Sequence, residues 1–460
     1  MSEGPWHLPG LPGREERGLA EGRTAAGQAF RVPLLDGPDA DAVAGEVRRA
    51  ALQARRHLPA ERVIAASARA AGSLADPSTP AGREAGDLLS RELGWPAGLA
   101  RETLAAMGRT WTAAALRAVV ERELGGTAVL DGWTEEGALP GRRRRALGPP
   151  LLLVVHAGNV PGVSVTAALR GLLVRSGVLS RAPAAEPGLL ACFARALAAE
   201  EPLLGRCLAT TWWPAEASED VWRSWVKRSG KVVVYGGDEA VAGVRARVPG
   251  HTGLLAYGPR LGVAVVLPDA AAAAAAAALA RDVCAYEQQG CVSPRLVYTV
   301  GRDARAFGRE LAGALRAEVG RVERPEPDAA TAVAVRGARD EAEFAGLAGR
   351  DVQVLAGEGL AWTVMVGGED RLLTRGLPRF VRVHGAASVA EVARILGPLE
   401  GRIQSVGYAG EAGLPELADT AAGLGACRLA PLGSLAWPPA DWLHDGRPQL
   451  LPLLRWTEWE

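Results

Sequence analysis

From residue 151 onward the chain alternates short apolar runs with amphipathic stretches. That rhythm restricts the fold more than any other feature of the 460 residues. The runs 151–155, 178–180, 207–211, 232–235 and 262–267 have strand length, and the stretches 163–173, 189–199, 220–227, 238–245 and 270–286 between them suit helices. Runs that are continuously apolar, rather than alternating with polar residues, read as strands buried on both faces; the intervening helices are the crossovers that parallel strands require. After Cys291 the rhythm resumes with runs 295–300, 363–366 and 379–383 and helical stretches 304–315 and 389–396. The pattern predicts an α/β protein of two doubly wound lobes. Ahead of it, Val43, Val47 and Leu52, then Leu88, Leu89, Leu93 and Leu99, then Leu104, Met107, Trp111, Leu116 and Val119 recur at helical spacing, which predicts a helical N-terminal region. Residues 1–37, rich in Gly, Pro and charge, are expected to be a flexible lead-in with a first strand-like signal at 30–35, and 127–150 reads as a hairpin or exposed arm.

Composition removes several functional classes. Lys plus Arg count 52 and Asp plus Glu 52, so no overall field draws the chain to nucleic acid or to an anionic membrane. The run Arg142 to Arg145 lacks interleaved aromatics and is expected to be a solvated hairpin tip. An apolar share of 48% against 23% charged excludes a chain disordered throughout. Five cysteines, Cys192, Cys207, Cys284, Cys291 and Cys427, form no Cys-x-x-Cys pair and have no His at metal spacing, so neither a disulfide framework nor a metal site is expected. The first 14 residues, with Pro5, Pro9 and Pro12, carry no secretory pattern, and the apolar stretch 261–280 is interrupted by Pro268-Asp269. The expectation is a cytoplasmic protein without a membrane span.

Three loops carry chemistry. Cys291 follows Gly290 within Glu287-Gln288-Gln289-Gly290-Cys291-Val292-Ser293-Pro294, between a helix and a strand, where a sulfur can face a cleft and act as a nucleophile. With an ordinary thiol pKa only about 3% would be thiolate at pH 7, so such a site must either lower that value or accept a modest rate. His156-Ala157-Gly158-Asn159-Val160-Pro161-Gly162 follows the buried run 151–155, at the strand end where α/β sheets gather ligands; the Asn159 amide there can donate to a developing oxyanion. The third loop, Tyr235-Gly236-Gly237-Asp238, leads a strand into a helix through two glycines that permit close approach of a pyrophosphate, although it is not a Gly-x-Gly-x-x-Gly fingerprint.

Taken in this order, these motifs resemble the aldehyde dehydrogenase superfamily and, within it, the acyl-CoA reductases of the bacterial bioluminescence fatty-acid reductase type, over about residues 30–460. The resemblance implies an aldehyde dehydrogenase-like fold with a cofactor lobe, a catalytic lobe and a small oligomerisation arm. On that reading 38–120 and 148–268 make the helical region plus nucleotide-binding lobe, 269–429 the catalytic lobe carrying Cys291, and 121–147 with 430–460 the arm and C-terminal segment. It implies Asn159 as oxyanion donor and Cys291 as nucleophile. Arg181, in Ser180-Arg181-Ala182, stands where the family more often has Lys near the adenosine ribose; its retained charge suits a 2′-phosphate and favours NADPH over NADH. Gly236, Gly237 and Gly258, the last within Tyr257-Gly258-Pro259-Arg260, follow as cofactor-binding positions. Tyr257 takes the place of the Glu with which hydrolytic members activate water, so the implied intermediate exchanges with a thiol or accepts hydride; Glu287 is expected to be a helix-end residue. The implied activity is reduction of a long-chain fatty acyl-CoA or acyl thioester to the aldehyde through a Cys291 thioester, with CoA as leaving group. The implied partners are a small-molecule acyl thioester, further copies of the chain and an acyl-activating enzyme or acyl carrier.

Two other readings stand beside it. Cys291 with His384 or His444 would make an acyltransferase or thioesterase without a redox step, and the missing Glu and substituted Lys fit an inactive scaffold of the same fold. His444-Asp445 reads either as a catalytic pair or as a turn before Gly446, and Trp212, Trp213, Trp222 and Trp225 as packing residues rather than the walls of an acyl channel.

Overall fold

The computed structural model describes residues 4–11, 18–135, 141–214, 219–368, 372 and 376–460. Parts of the expected lead-in (1–3 and 12–17) and of the expected arm (136–140) lie outside the described residues. The chain divides into two compact units, one comprising 1–258, 439–442 and 447–460, the other 259–438 and 443–446.

The first unit is built on a five-stranded parallel sheet of β1 (Leu151–Val155), β2 (Gly177–Arg181), β3 (Leu208–Thr211), β4 (Lys231–Tyr235) and β5 (Gly253–Tyr257), in the order β3-β2-β1-β4-β5. Successive side chains enter separate cores. Leu152, Val154 and Val233 pack with helices Ala60–Ala75, Val163–Leu173 and Gly188–Glu200, while Leu151, Leu153, Val155, Val232 and Val234 pack with Gly37–His57 and Glu219–Arg228. Burial on both faces is why these strands carry no polar alternation. The N-terminal region is helical as its periodicity predicts: Asp36, Thr79 and Thr112 cap helices Gly37–His57, Pro80–Leu93 and Ala113–Leu124 by accepting from Asp39, Gly82 and Ala115 N–H groups.

Three observations depart from the sequence reading. Within the stretch expected to be a flexible lead-in, Leu19–Arg23 and Ala29–Pro33 form an antiparallel hairpin, and Leu8 and Leu11 are buried in the core. The arginine run is not a solvated tip: Arg143–Leu147 is the central strand of a three-stranded sheet between Thr134–Glu135 and the C-terminal strand Arg455–Trp459. There Arg143 lies over Trp459 at 5.0 Å and Arg144 over Trp456 at 5.1 Å, so aromatic faces absorb part of the charge. Finally, the run 262–267, read as the last strand of the nucleotide-binding lobe, belongs to the other unit's sheet.

That second sheet has seven strands: β6 (Leu261–Val266), β7 (Pro294–Val300), β8 (Val352–Ala356), β9 (Thr363–Gly367), β10 (Phe380–Ala386), β11 (Ile403–Ala409) and β12 (Arg428–Pro431), in the order β8-β9-β10-β7-β6-β11-β12. All pairs are parallel except β8 with β9. It too is covered on both faces, by Ala264, Val266, Val297 and Val383 on one side and Val263, Val265, Leu296 and Tyr298 on the other. No helix among the described residues is long and apolar enough to cross a membrane.

Trp213, Trp222 and Trp225 of the first unit pack in its interior. Trp225 is fully buried, donates to the Ala40 carbonyl at 3.1 Å and meets the Trp213 ring edge-on at 5.1 Å. Trp225→Ala is expected to cost about 3–5 kcal/mol of stability, read from denaturant unfolding of the full chain.

Candidate active site

Cys291 lies just ahead of β7, reached through an unusual turn. Helix Ala272–Cys284 ends and three consecutive non-glycine residues, Tyr286 (φ 51°), Glu287 (φ 53°) and Gln288 (φ 62°), take left-handed conformations. Each such residue costs of order 1–3 kcal/mol and persists only where its surroundings over-determine it. Here they do. The Glu287 carboxylate is buried against Arg379 and, at 3.3 Å, Arg324. The Gln288 amide donates to the Pro294 and Phe380 carbonyls at 2.7 and 2.9 Å and accepts from the Phe380 N–H at 2.6 Å. The Tyr286 ring sits 4.7 Å from that of Trp437. Gly262 in β6 lets the loop close up: a Cβ there would fall 2.4 Å from the Val292 carbonyl oxygen.

At the amino ends of β6, β7 and β12 a polar cluster gathers. The half-buried Cys291 Sγ is 3.9 Å from His444 Nε2. The same nitrogen is 3.6 Å from Asp445 Oδ1, and Asp445 Oδ2 is 3.4 Å from Arg260 Nε. Arg260 also donates to Cys427 Sγ at 3.6 Å. Burial pushes the Cys291 thiol up to about 12, with the Asp445 carboxylate adding to the effect and Arg260 opposing it. Its surroundings therefore disfavour the thiolate. Cys192, Cys207 and Cys284 are buried and likewise pushed up to about 12, chiefly by burial.

Glu287 does not face this cluster as an available base. Burial pushes its carboxyl up while Arg379 and Arg324 pull it down, and both oxygens are engaged by those guanidinium groups. The segment leading to His444 is anchored by Asp282, which accepts from the Gly433, Leu435 and Ala436 N–H groups. Burial raises the Asp282 carboxyl to about 6 against those hydrogen bonds.

The remaining residues singled out from sequence lie in the first unit. Asn159 is exposed on the loop after β1. Two residues earlier than that loop's glycine, His156 is buried with Nε2 2.8 Å from Ser180 Oγ, and burial lowers its pKa to about 3, so it is neutral at pH 7. The Tyr235 and Tyr257 rings stack at 4.8 Å at the ends of β4 and β5. Gly236 and Gly237 form the turn before helix Asp238–Arg245, and a Cβ at Gly237 would meet nothing within 4 Å. Gly258 is exposed just beyond β5. Arg181, at the end of β2, lies against the Trp213 and Trp222 rings at 5.6 and 5.9 Å and donates through Nη2 to the Trp213 carbonyl, while its buried Nε has no partner.

Of the two histidines considered with Cys291, the fold brings His444 to it. His384 is buried within β10, its ring stacked on Tyr298 at 5.9 Å. Arg260 was not picked out as a site residue, and nothing local distinguishes it from the chain's other arginines; only its pairing with Asp445 does.

The fold and the sequence both have known relatives. Over 99% of its length it superposes on the crystal structure of a NAD-dependent benzaldehyde dehydrogenase from Corynebacterium glutamicum (98% of that chain, TM-score 0.74, 16% identity). It likewise superposes over 100% of both chains on an oxidoreductase from Marinobacter aquaeolei (TM-score 0.75, 15% identity). The fold is therefore aldehyde dehydrogenase-like. The profile of the acyl-CoA reductase (LuxC) family matches residues 56–456, and the chain belongs to that family. It is 26% identical over 357 residues to the long-chain acyl-protein thioester reductase of Aliivibrio fischeri, covering 75% of this chain and 71% of the relative. With the Vibrio harveyi protein of the same name it shares 27% identity over 199 residues, so the match spans only 41% of that relative's length.

Two outcomes are expected. Glu287→Gln leaves Arg379 without its buried counter-charge and Arg324 with Glu318 alone, at 3.5 Å, and should cost about 3–5 kcal/mol in denaturant unfolding. Because the folded value of Asp282 is raised from 3.8 to about 6, its contribution to stability is fully present below about pH 4 and is lost as pH rises through about 6. Asp282→Asn, neutral throughout, should flatten that part of the pH dependence in thermal unfolding measured from pH 4 to 7.

Proposed function

We propose that the protein reduces a long-chain acyl thioester to the aldehyde, with Cys291 as the acyl acceptor and a nicotinamide dinucleotide as reductant, NADPH ahead of NADH. The observation that carries this reading is the Cys291 sulfur at the amino end of β7, half-buried and in contact with an imidazole, in a chain of the acyl-CoA reductase family.

Three features suit the dinucleotide. The strand order β3-β2-β1-β4-β5 reverses between β1 and β4, and sheets of this kind hold dinucleotides at the carboxyl ends of their strands beside such a reversal. The open space at Gly237 suits close approach of a pyrophosphate, and the orphaned Nε of Arg181 suits a ribose 2′-phosphate. Asp238 and Glu239, exposed in the first turn of the following helix, oppose an anion there and shift the preferred phosphate contacts toward the glycine turn and Arg181. When bound, the nicotinamide supplies hydride.

The side chains of this protein do the rest. Cys291 Sγ attacks the acyl carbon, the Asn159 amide and the Cys291 N–H stabilise the oxyanion, and the carrier thiol leaves, giving a Cys291 thioester. After reduction the thiohemiacetal on Cys291 collapses to aldehyde and frees the thiol. Tyr257, stacked on Tyr235, has no carboxyl to activate water, which keeps the thioester from hydrolysis. CoA and an acyl-protein thiol are both candidate leaving groups: the family is named for the first and the relatives for the second. An acyl-activating enzyme or acyl carrier would supply the donor. The three-stranded arm, with exposed Trp133 and Trp459 in edge-on contact at 5.8 Å, is the surface we assign to self-association.

The Cys291–His444 contact favours, as a second reading, acyl exchange without reduction. Purified protein assayed with acyl-CoA and acyl-protein donors and with each coenzyme separates the two. Coenzyme oxidation stoichiometric with aldehyde is expected, together with loss of both aldehyde and acyl-enzyme in Cys291→Ala; acyl transfer with no coenzyme oxidation would select the exchange reading.

A further inference from the structure

The thiol that must become a nucleophile is half-buried beside a carboxylate, a setting that works against ionisation. What stands next to it is His444, joined to Cys291 only through the fold, since 153 positions separate them in the chain. The arrangement differs from the Cys-His-Asp triad, in which the nucleophile and the carboxylate use opposite ring nitrogens. Here both approach Nε2: Cys291 Sγ at 3.9 Å and Asp445 Oδ1 at 3.6 Å. While Nε2 is unprotonated, it can accept from the thiol but gains nothing from Asp445. Once Nε2 carries a proton, the imidazolium lies between a thiolate and a carboxylate and is stabilised by both. Asp445 is in turn held by Arg260 at 3.4 Å, and Arg260 reaches Cys427 Sγ at 3.6 Å. Arg295, at the start of β7, is another cation acting on the sulfur.

We infer that His444 is the proton shuttle of acyl exchange on Cys291, with Asp445 and Arg260 as positioning residues that stabilise its charged form. The inference rests on Cys291 being the acyl acceptor. In the step, the Cys291 S–H proton passes to His444 Nε2 as Sγ bonds to the acyl carbon and the carbonyl electron pair moves onto oxygen. When the carbonyl reforms, the bond to the carrier sulfur breaks, and the departing thiolate takes the proton from Nε2. His444 ends as it began, and the products are the Cys291 thioester and a free carrier thiol. The same shuttle serves a CoA thiol or a protein thiol, because it acts on sulfur and not on the rest of the donor.

The test follows iodoacetamide labelling of Cys291 in the full-length protein against pH, read by the mass of the peptide so that Cys427 is counted separately. The wild type should show an inflection in the imidazole range and appreciable labelling at pH 7. His444→Gln should label about a hundredfold more slowly at pH 7 and recover as the pH is raised, and it should slow transfer of the acyl group from an acyl-CoA to a small thiol, assayed without coenzyme, by a similar factor. Asp445→Asn should move the inflection to lower pH, which a purely structural role would not do. Superimposable wild-type and His444→Gln profiles would overturn the inference. So would a wild-type profile that rises only above about pH 9, an outcome that needs no variant to fold. Failure of the underlying reading looks different: Cys291→Ala would still form aldehyde, whatever the His444 profiles show.

Discussion

A buried carboxylate clasped by two guanidinium groups holds the Cys291 loop of the second unit in shape. Glu287 sits in the middle of a left-handed turn that no glycine eases, and its ties to Arg379 and Arg324 reach residues 37 and 92 positions along the chain. Local backbone preference opposes the turn, and tertiary contacts impose it. Together with the Gln288 hydrogen bonds to Phe380 and Pro294, they fix the direction in which the chain leaves helix Ala272–Cys284, and hence where the Cys291 sulfur lies. Backbone strain that tertiary contacts hold in place gathers at functional sites more often than elsewhere.

The sheets were legible in the sequence because burial on both faces leaves a direct trace, uninterrupted Val, Leu and Ile. What escaped is what burial does not mark. Strand β5 lies at a sheet edge, with Tyr257 its one buried residue, and its Gly-Leu-Leu-Ala-Tyr sequence gave no clear signal. The boundary between the units falls at Gly258, so the run at 261–266, indistinguishable from its predecessors in composition, joins a different sheet. In the hairpin Leu19–Arg23 with Ala29–Pro33, exposed residues alternate with buried ones amid glycine and charge, and only the second strand left a signal, at 30–35.

The candidate site divides in the same way. The Cys291 loop, the Asn159 loop and the double glycine are contiguous motifs and could be read directly. That His444 rather than His384 approaches Cys291 is a fact of topology: one histidine lies inside β10, the other on a returning tail pinned by Asp282. Tyr286, Glu287 and Gln288 carry none of the residue types that mark left-handed backbone, so nothing local announces the turn. Arg260 owes its interest wholly to Asp445.

The position of His444 near the far end of the chain also has a bearing on biosynthesis. A ribosome will have delivered all seven strands of that sheet, and Cys291 with them, before the imidazole that stands beside the sulfur has emerged. Until then the nascent chain carries Cys291 without the imidazole that stands beside it in the folded protein.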